Sequence, residues 1–202
     1  MNNNKWLTAQ NGGNIKKLFT GHIDSRSTNH PFRYIIDDAL DFVKPGNYTR
    51  ILDIGMGDGY AADTMRKKFN CPVHGITLSA NELEWSKTAY PDIVAEVMDV
   101  HDLTYPNEHF DLIFMRDSFE HFLSPFLALD ECYRTLKPGG FLMIALPINE
   151  PWLTWDEHII VPNQVQMTHL LKLTGFEVVE YHEKDYPPPV VLVQAKYWIR
   201  KV

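Results

Sequence analysis

The chain has 202 residues, 45% of them hydrophobic, and 19 lysines and arginines against 26 aspartates and glutamates give a formal net charge of −7. A chain of this size buries roughly 70% of its unfolded surface on folding, so a single domain over 1–202 needs no staple. The negative charge argues against extended contact with nucleic acid, which relies on clustered lysine and arginine. Cys71 and Cys132 lack the spacing of a zinc knuckle or redox pair. No apolar run reaches the roughly 18 residues of a membrane span. The expectation is a cytoplasmic protein with neither nucleic acid nor membrane as partner.

Residues 1–30 are rich in Asn, Gly, Thr and Ser and read as an irregular arm. Its charge is positive, with Lys5, Lys16, Lys17 and Arg26 against Asp24. Pro31 opens an amphipathic helix over 31–44, with Ile35, Ala39, Leu40 and Val43 on one face and Pro45-Gly46 as its stop. From residue 50 to 202 the core alternates strand-like and helix-like segments, at 50–55, 60–69, 72–77, 80–90, 93–98, 110–116, 122–136 and 140–146. That alternation predicts a parallel sheet covered on both faces. A helix near 163–174 follows, then strands at 176–181 and 190–197, split by Pro187-Pro188-Pro189 and expected to close the sheet as an antiparallel pair.

The most informative segment is Arg50-Ile-Leu-Asp-Ile-Gly-Met-Gly-Asp-Gly-Tyr60. Arg50 to Ile54 read as a buried strand. Gly55, Gly57 and Gly59 let the backbone turn sharply and approach a ligand with no Cβ in the way. A phosphate-binding loop would end in Gly-Lys-Ser/Thr, and the dinucleotide fingerprint would carry glycine where Tyr60 stands. A nicotinamide oxidoreductase on the same architecture is therefore the weaker reading.

The stretch from Leu52 to Gly59 resembles motif I of the class I S-adenosylmethionine-dependent methyltransferases. The resemblance implies an α/β fold: a Rossmann-like seven-stranded sheet with helices on both faces and a C-terminal antiparallel strand pair. It implies S-adenosyl-L-methionine as cofactor, with the glycine turn under its methionine and ribose portions and Asp53 near the amino group. At the end of the second strand the family commonly carries an acid for the ribose; here Thr77 stands in that place. Gly75-Ile-Thr-Leu-Ser79 looks like the corresponding segment of cyclopropane fatty acid synthases, which makes Glu82 the matching ribose candidate. Equally, Ser79 and Glu82 form an S-x-x-E capping box. Asp99 is expected to meet the adenine amine, with the backbone of Val100 or His101 at the ring nitrogens and Leu78 on a ring face. Arg116 closes the fourth strand, where its backbone could meet the cofactor or its side chain an acid.

Methyl transfer is an in-line displacement whose demand is chiefly orientation, and only some acceptors need a base. His121 and His158 are the candidate bases, with Glu120 and Asp117 as further acids in the same regions. A structural role for Glu120-His121 is the competing reading. Asp117 and Asn149 supply too few oxygen ligands for a magnesium site, so no metal is expected. A small-molecule acceptor is expected among the arm, Tyr34, Phe119 and the aromatic segment 147–155, with Trp152 and Trp155 as stacking surfaces. The alternative is a chain that binds S-adenosylmethionine as a scaffold without turnover.

Overall fold

A computed structural model of the chain describes residues 33–149, 158–188 and 192–202. The elements run α1 (Arg33–Phe42), β1 (Ile51–Ile54), α2 (Tyr60–Phe69), β2 (Val73–Thr77), α3 (Ala80–Ala89), β3 (Val94–Val97), β4 (Phe110–Arg116), α4 (Pro125–Thr135), β5 (Leu136–Pro147), α5 (Gln164–Leu173), β6 (Phe176–Tyr186) and β7 (Leu192–Lys201). A 3-10 turn at Phe119–His121 precedes α4. The seven strands form one sheet in the order β3-β2-β1-β4-β5-β7-β6. The first five are parallel, and β7 pairs antiparallel with both β5 and β6.

Both faces of the central strands are buried, so their sequences are continuous apolar runs rather than alternating ones. On one face Leu52, Ile54, Ile113, Met115, Leu142 and Ile144 pack with Leu129 and Cys132 of α4 and Met167 and Leu171 of α5. On the other, Ile51, Leu112, Phe114, Met143 and Ala145 pack with Ala39 and Leu40 of α1 and Ala62 and Met65 of α2. Cys71 and Cys132 are free and buried.

Several element boundaries differ from the sequence reading. The expected helix 122–136 is shorter, running from Pro125 to Thr135, because Pro125 occupies a first-turn position where its missing N–H costs nothing; the 3-10 turn at 119–121 lies before it. Lys137-Pro-Gly-Gly140 is not a plain turn: β5 pairs from Leu136 onward, with a register shift opposite Phe110 and Leu112. The last two strands are longer than expected, and β7 runs on to Lys201 because its final residues still find partners in Phe176 and Glu177. The expected arm at 1–30, Pro31, and the aromatic residues Trp152 and Trp155 lie outside the described residues.

Candidate active site at the carboxyl edge of the sheet

Asp53 sits on β1 between Gly75 of β2 and Phe114 of β4, and it is only 2% exposed. Its Oδ2 is buried without a hydrogen-bond partner. Burial pushes its pKa up to about 7; Arg116 opposes the shift, Asp58 adds to it, and the Ala62 backbone hydrogen bond opposes it. An acid so placed is costly unless something positive meets it.

Immediately after β1 the chain turns on Gly55, Gly57 and Gly59, all with positive φ. A Cβ on Gly55 would lie 2.5 Å from the Ser118 hydroxyl, and one on Gly59 would lie 2.9 Å from Ile93. A Cβ on Gly57 would meet no protein atom within 4 Å. Two of the glycines thus serve the protein's own packing, while the middle one faces open space. Gly59 is also the N-cap of α2, whose first backbone N–H groups face the loop.

Tyr60, which excluded the dinucleotide fingerprint, has a structural task. The Arg33 guanidinium stacks 3.8 Å from its ring centroid, and the Tyr60 hydroxyl donates to Asp37 at 2.8 Å. Arg33 also reaches Asp58 at 3.4 Å, both side chains 12% exposed. These contacts fasten α1 to the glycine loop.

At the end of β2 the Thr77 hydroxyl donates to Glu82 Oε2 at 2.6 Å and accepts from the Ser79 N–H at 3.0 Å. Ser79 does cap α3, accepting from the Glu82 N–H at 3.3 Å. The capping box is half closed, because the Ser79 N–H is already taken by Thr77 and the Glu82 carboxylate turns to the strand end. Thr77 and Glu82 therefore act as one unit, a hydroxyl holding a carboxylate where the family expects an acid. Leu78, next in the chain, is half-buried.

After β3, Asp99 Oδ1 accepts from the His101 backbone N–H at 3.0 Å and from His101 Nδ1 at 2.6 Å. His101 Nε2 accepts from the Ser124 N–H at 3.2 Å, which assigns the ring proton to Nδ1. Burial alone would raise the Asp99 pKa, but the bonds from His101 outweigh it and hold the carboxyl below its ordinary value. Val100 is buried beside it.

At the end of β4 the Arg116 guanidinium pairs with Asp117, whose other oxygen accepts from Gln194 Nε2 at 2.8 Å. The side chain of Arg116 is thus engaged in an ion pair. Asp117 adopts φ 46°, a left-handed conformation unusual outside glycine and asparagine. Asn149 accepts from the Val193 N–H at 2.6 Å, so both residues weighed as magnesium ligands are tied to β7 and its approach. Phe119, expected at the acceptor, is fully buried in the core and presents no surface. Tyr34 is 46% exposed and lies against Tyr186, ring centroids 6.0 Å apart.

Glu120, by contrast, is 1% exposed, with Oε2 lacking a hydrogen-bond partner. Burial, then the Asp117 charge, holds its carboxyl well above the usual range. His121 and His158 lie on either side, with ring centroids 4.9 Å apart. The residues that the sequence singled out for the cofactor lie at or just beyond the carboxyl ends of β1 to β4, and His121, in the turn after β4, meets His158. Sequence reasoning passed over Arg33, whose partners Asp58 and Tyr60 are distant in the chain, and gave His101 a backbone role only, without its side-chain bond to Asp99.

A buried acid beneath a left-handed glycine turn, at the carboxyl ends of parallel strands in a seven-stranded sheet closed by an antiparallel hairpin, defines a class I methyltransferase fold. Residues 52–144, somewhat under half of the chain, match the family model described as Methyltransferase domain. Among curated relatives, it is 28% identical over 159 residues, 71% of this chain and 60% of the other, to an O-methyltransferase of Pyrenophora dematioidea. It is 31% identical over 110 residues to the 2-methyl-6-phytyl-1,4-hydroquinone methyltransferase of Synechocystis sp., covering 53% of this chain and 34% of the other. Phosphoethanolamine N-methyltransferase 3 of Arabidopsis thaliana is 35% identical over 111 residues, 53% of this chain and 22% of the other. The matches thus span less than two thirds of each relative's length. Among solved structures, the [4+2]-cyclase SpnF superposes with a TM-score of 0.71 at 19% identity over 86% of this chain and 81% of that one. An S-adenosylmethionine-dependent methyltransferase from Mesorhizobium loti gives 0.68 at 17% identity over 81% and 96%. Identities this low speak to the fold.

Proposed function

We propose that the chain is an S-adenosylmethionine-dependent methyltransferase acting on a small-molecule acceptor. The observation that carries the cofactor assignment is Asp53 Oδ2, a buried carboxylate oxygen without a partner under the Gly55–Gly59 turn. The cofactor's ammonium is the cation such an oxygen needs, and the open space at Gly57 is where a ligand can approach backbone. Glu82, held by Thr77, would accept from the ribose hydroxyls. Asp99, with Val100 and Leu78, would frame the adenine. When bound, S-adenosylmethionine supplies an electrophilic methyl group on a sulfonium sulfur.

The protein's share of the reaction is then largely positional. Fixing both partners in line is worth up to about 7–11 kcal/mol. Ser118 locks the β4 exit onto β1 by donating to the Ile54 carbonyl at 3.0 Å. This seam would keep the segment carrying Glu120 and His121 next to the end of β1. His121 or His158 would hold an acceptor proton if the nucleophile carries one. The O-methyltransferase, hydroquinone methyltransferase and phosphoethanolamine methyltransferase names among the relatives support a small-molecule acceptor.

Calorimetry with S-adenosylmethionine and S-adenosylhomocysteine tests the cofactor assignment, with binding expected in the wild type and lost in Asp53→Ala. Unchanged binding in that variant refutes it. The second reading is cofactor binding without methyl transfer, since the same fold is found in a protein named a cyclase. A labelled-methyl screen over phenols, hydroxyls and amines separates the two, with labelled product expected.

A further inference from the structure

One cluster at the carboxyl edge has no part in holding the cofactor. Glu120, His121 and His158 bring a carboxylate oxygen and two imidazole nitrogens within 4.8 Å of one another. Glu120 Oε1 lies 4.0 Å from Nε2 of each histidine. The convergence is built by the backbone: the Glu120 carbonyl accepts from the Ile159 and Ile160 N–H groups at 2.7 and 3.2 Å, which pins the returning chain so that His158 faces the 3-10 turn. All three side chains are withdrawn from solvent, at 1%, 14% and 6% exposure.

A second observation points to a ligand. Glu120 Oε2 is buried with no hydrogen-bond partner, and an ionised carboxylate out of water is strongly disfavoured until a cation or donors meet it. Among the nearby charges Asp117 has the same sign and adds to the penalty, while Arg116, which eases it, is itself paired with Asp117. Two imidazoles and one carboxylate form a borderline donor set, suited to zinc and its first-row neighbours and poorly suited to magnesium or calcium. A four-coordinate ion with bonds of about 2.1 Å places its donors roughly 3.4 Å apart, so the 4.0 Å pairs, and a spread of the three atoms within 4.8 Å, must close by side-chain rotation.

We propose that Glu120, His121 and His158 form a binding site for one divalent first-row transition-metal ion of the zinc type, with a further coordination position left for water or a substrate oxygen. This replaces the expectation of no metal, which weighed only the oxygen donors Asp117 and Asn149. The ion would lie close to the cofactor loop, since Ser118, two residues before Glu120, bonds the last residue of β1. The site holds whether or not the chain transfers methyl groups, and with the ion bound His121 and His158 act as its ligands and not as bases for an acceptor proton.

The test is direct metal binding by the untagged full chain after chelator treatment, by equilibrium dialysis with zinc and by the visible absorption of bound cobalt(II). One equivalent is expected, with affinity lowered at least tenfold in His158→Ala and in Glu120→Gln and unchanged in His169→Ala, whose histidine lies exposed on α5. Zinc should also raise the unfolding temperature of the wild type and not that of Glu120→Gln. Glu120→Gln keeps the side-chain volume, so it decides the matter if His158→Ala does not fold. No bound metal, or equal affinity in folded Glu120→Gln, overturns the site. S-adenosylhomocysteine calorimetry on the same samples reports the cofactor assignment separately.

Discussion

Asp53 carries an uncompensated cost that a ligand can relieve, and this gives it a pH signature. Its folded-state pKa is raised from 3.8 to about 7, so the penalty for holding it ionised is full above about pH 7 and vanishes as pH falls toward the unfolded value. Ligand-free protein should therefore gain stability from this residue on acidification through that window. Cofactor binding runs the other way, because an ammonium pairs with the ionised acid. Affinity for S-adenosylhomocysteine should fall below about pH 7, approaching tenfold per unit, with proton release on binding seen as a dependence of the calorimetric heat on buffer ionisation. Asp53→Asn should flatten both dependences and raise the unfolding temperature at pH 8 while weakening the cofactor, a site held strained for its ligand. The glycines separate in the same manner. Gly57→Ala should fold with a loss of about 1–2 kcal/mol from its φ of +53° and lose cofactor binding by calorimetry. Gly59→Ala adds a contact at 2.9 Å with Ile93 and should lose more stability in urea than Gly57→Ala does.

At the scale of elements, α1 is held at two places. Arg33 and Asp37 meet the glycine loop through Asp58 and Tyr60. Asp38 meets Lys184, Lys196 and Tyr186 of the β6–β7 hairpin. Lys196 is 2% exposed, and burial pulls its pKa down to about 8. Asp38→Ala leaves that ammonium buried and unpaired, and should cost about 3–5 kcal/mol in urea unfolding, whereas Asp38→Ala combined with Lys196→Met should recover much of the loss. The strands and nearly every helix were legible because the central parallel strands are largely apolar and the loop after β1 has a spacing that packing seldom requires. The Thr77–Glu82 unit was half legible, since Ser79 signalled a cap but could not reveal that the Glu82 carboxylate turns back to the strand. Asp38–Lys196 and the Glu120–His121–His158 cluster were not legible as partnerships. Their members come together only through α1 docking and the backbone clamp at Glu120, and no local pattern encodes either.

Across the whole molecule, the sheet's two edges are protected by different means. β6 displays Glu177, Glu180 and Glu183 along its outer rim, while β3 is only four residues long. No described helix is long and apolar enough to cross a membrane. One concavity, lined by Tyr48, Asp111, Lys137 and Trp198, lies by the amino ends of the strands, away from the glycine loop. A second, lined by Phe126, Ile159, Ile160 and Leu170, adjoins the turn that carries His158 and offers an apolar wall near the proposed chemistry. Ligand that binds only the folded chain should raise its stability by about 2.7 kcal/mol at a hundredfold excess over Kd, read as a shift in thermal midpoint.

The double attachment of α1 makes the helix a tie between the cofactor loop and a hairpin on the far side of the sheet. Local opening of either attachment frees one end of the tie and loosens the other, so the two regions share one opening equilibrium. Occupancy of the glycine loop should then slow amide exchange in β6 and β7, at groups that no cofactor atom touches. Arg33→Ala should abolish that distant protection while leaving the hairpin folded, as hydrogen-exchange mass spectrometry with and without S-adenosylhomocysteine can show.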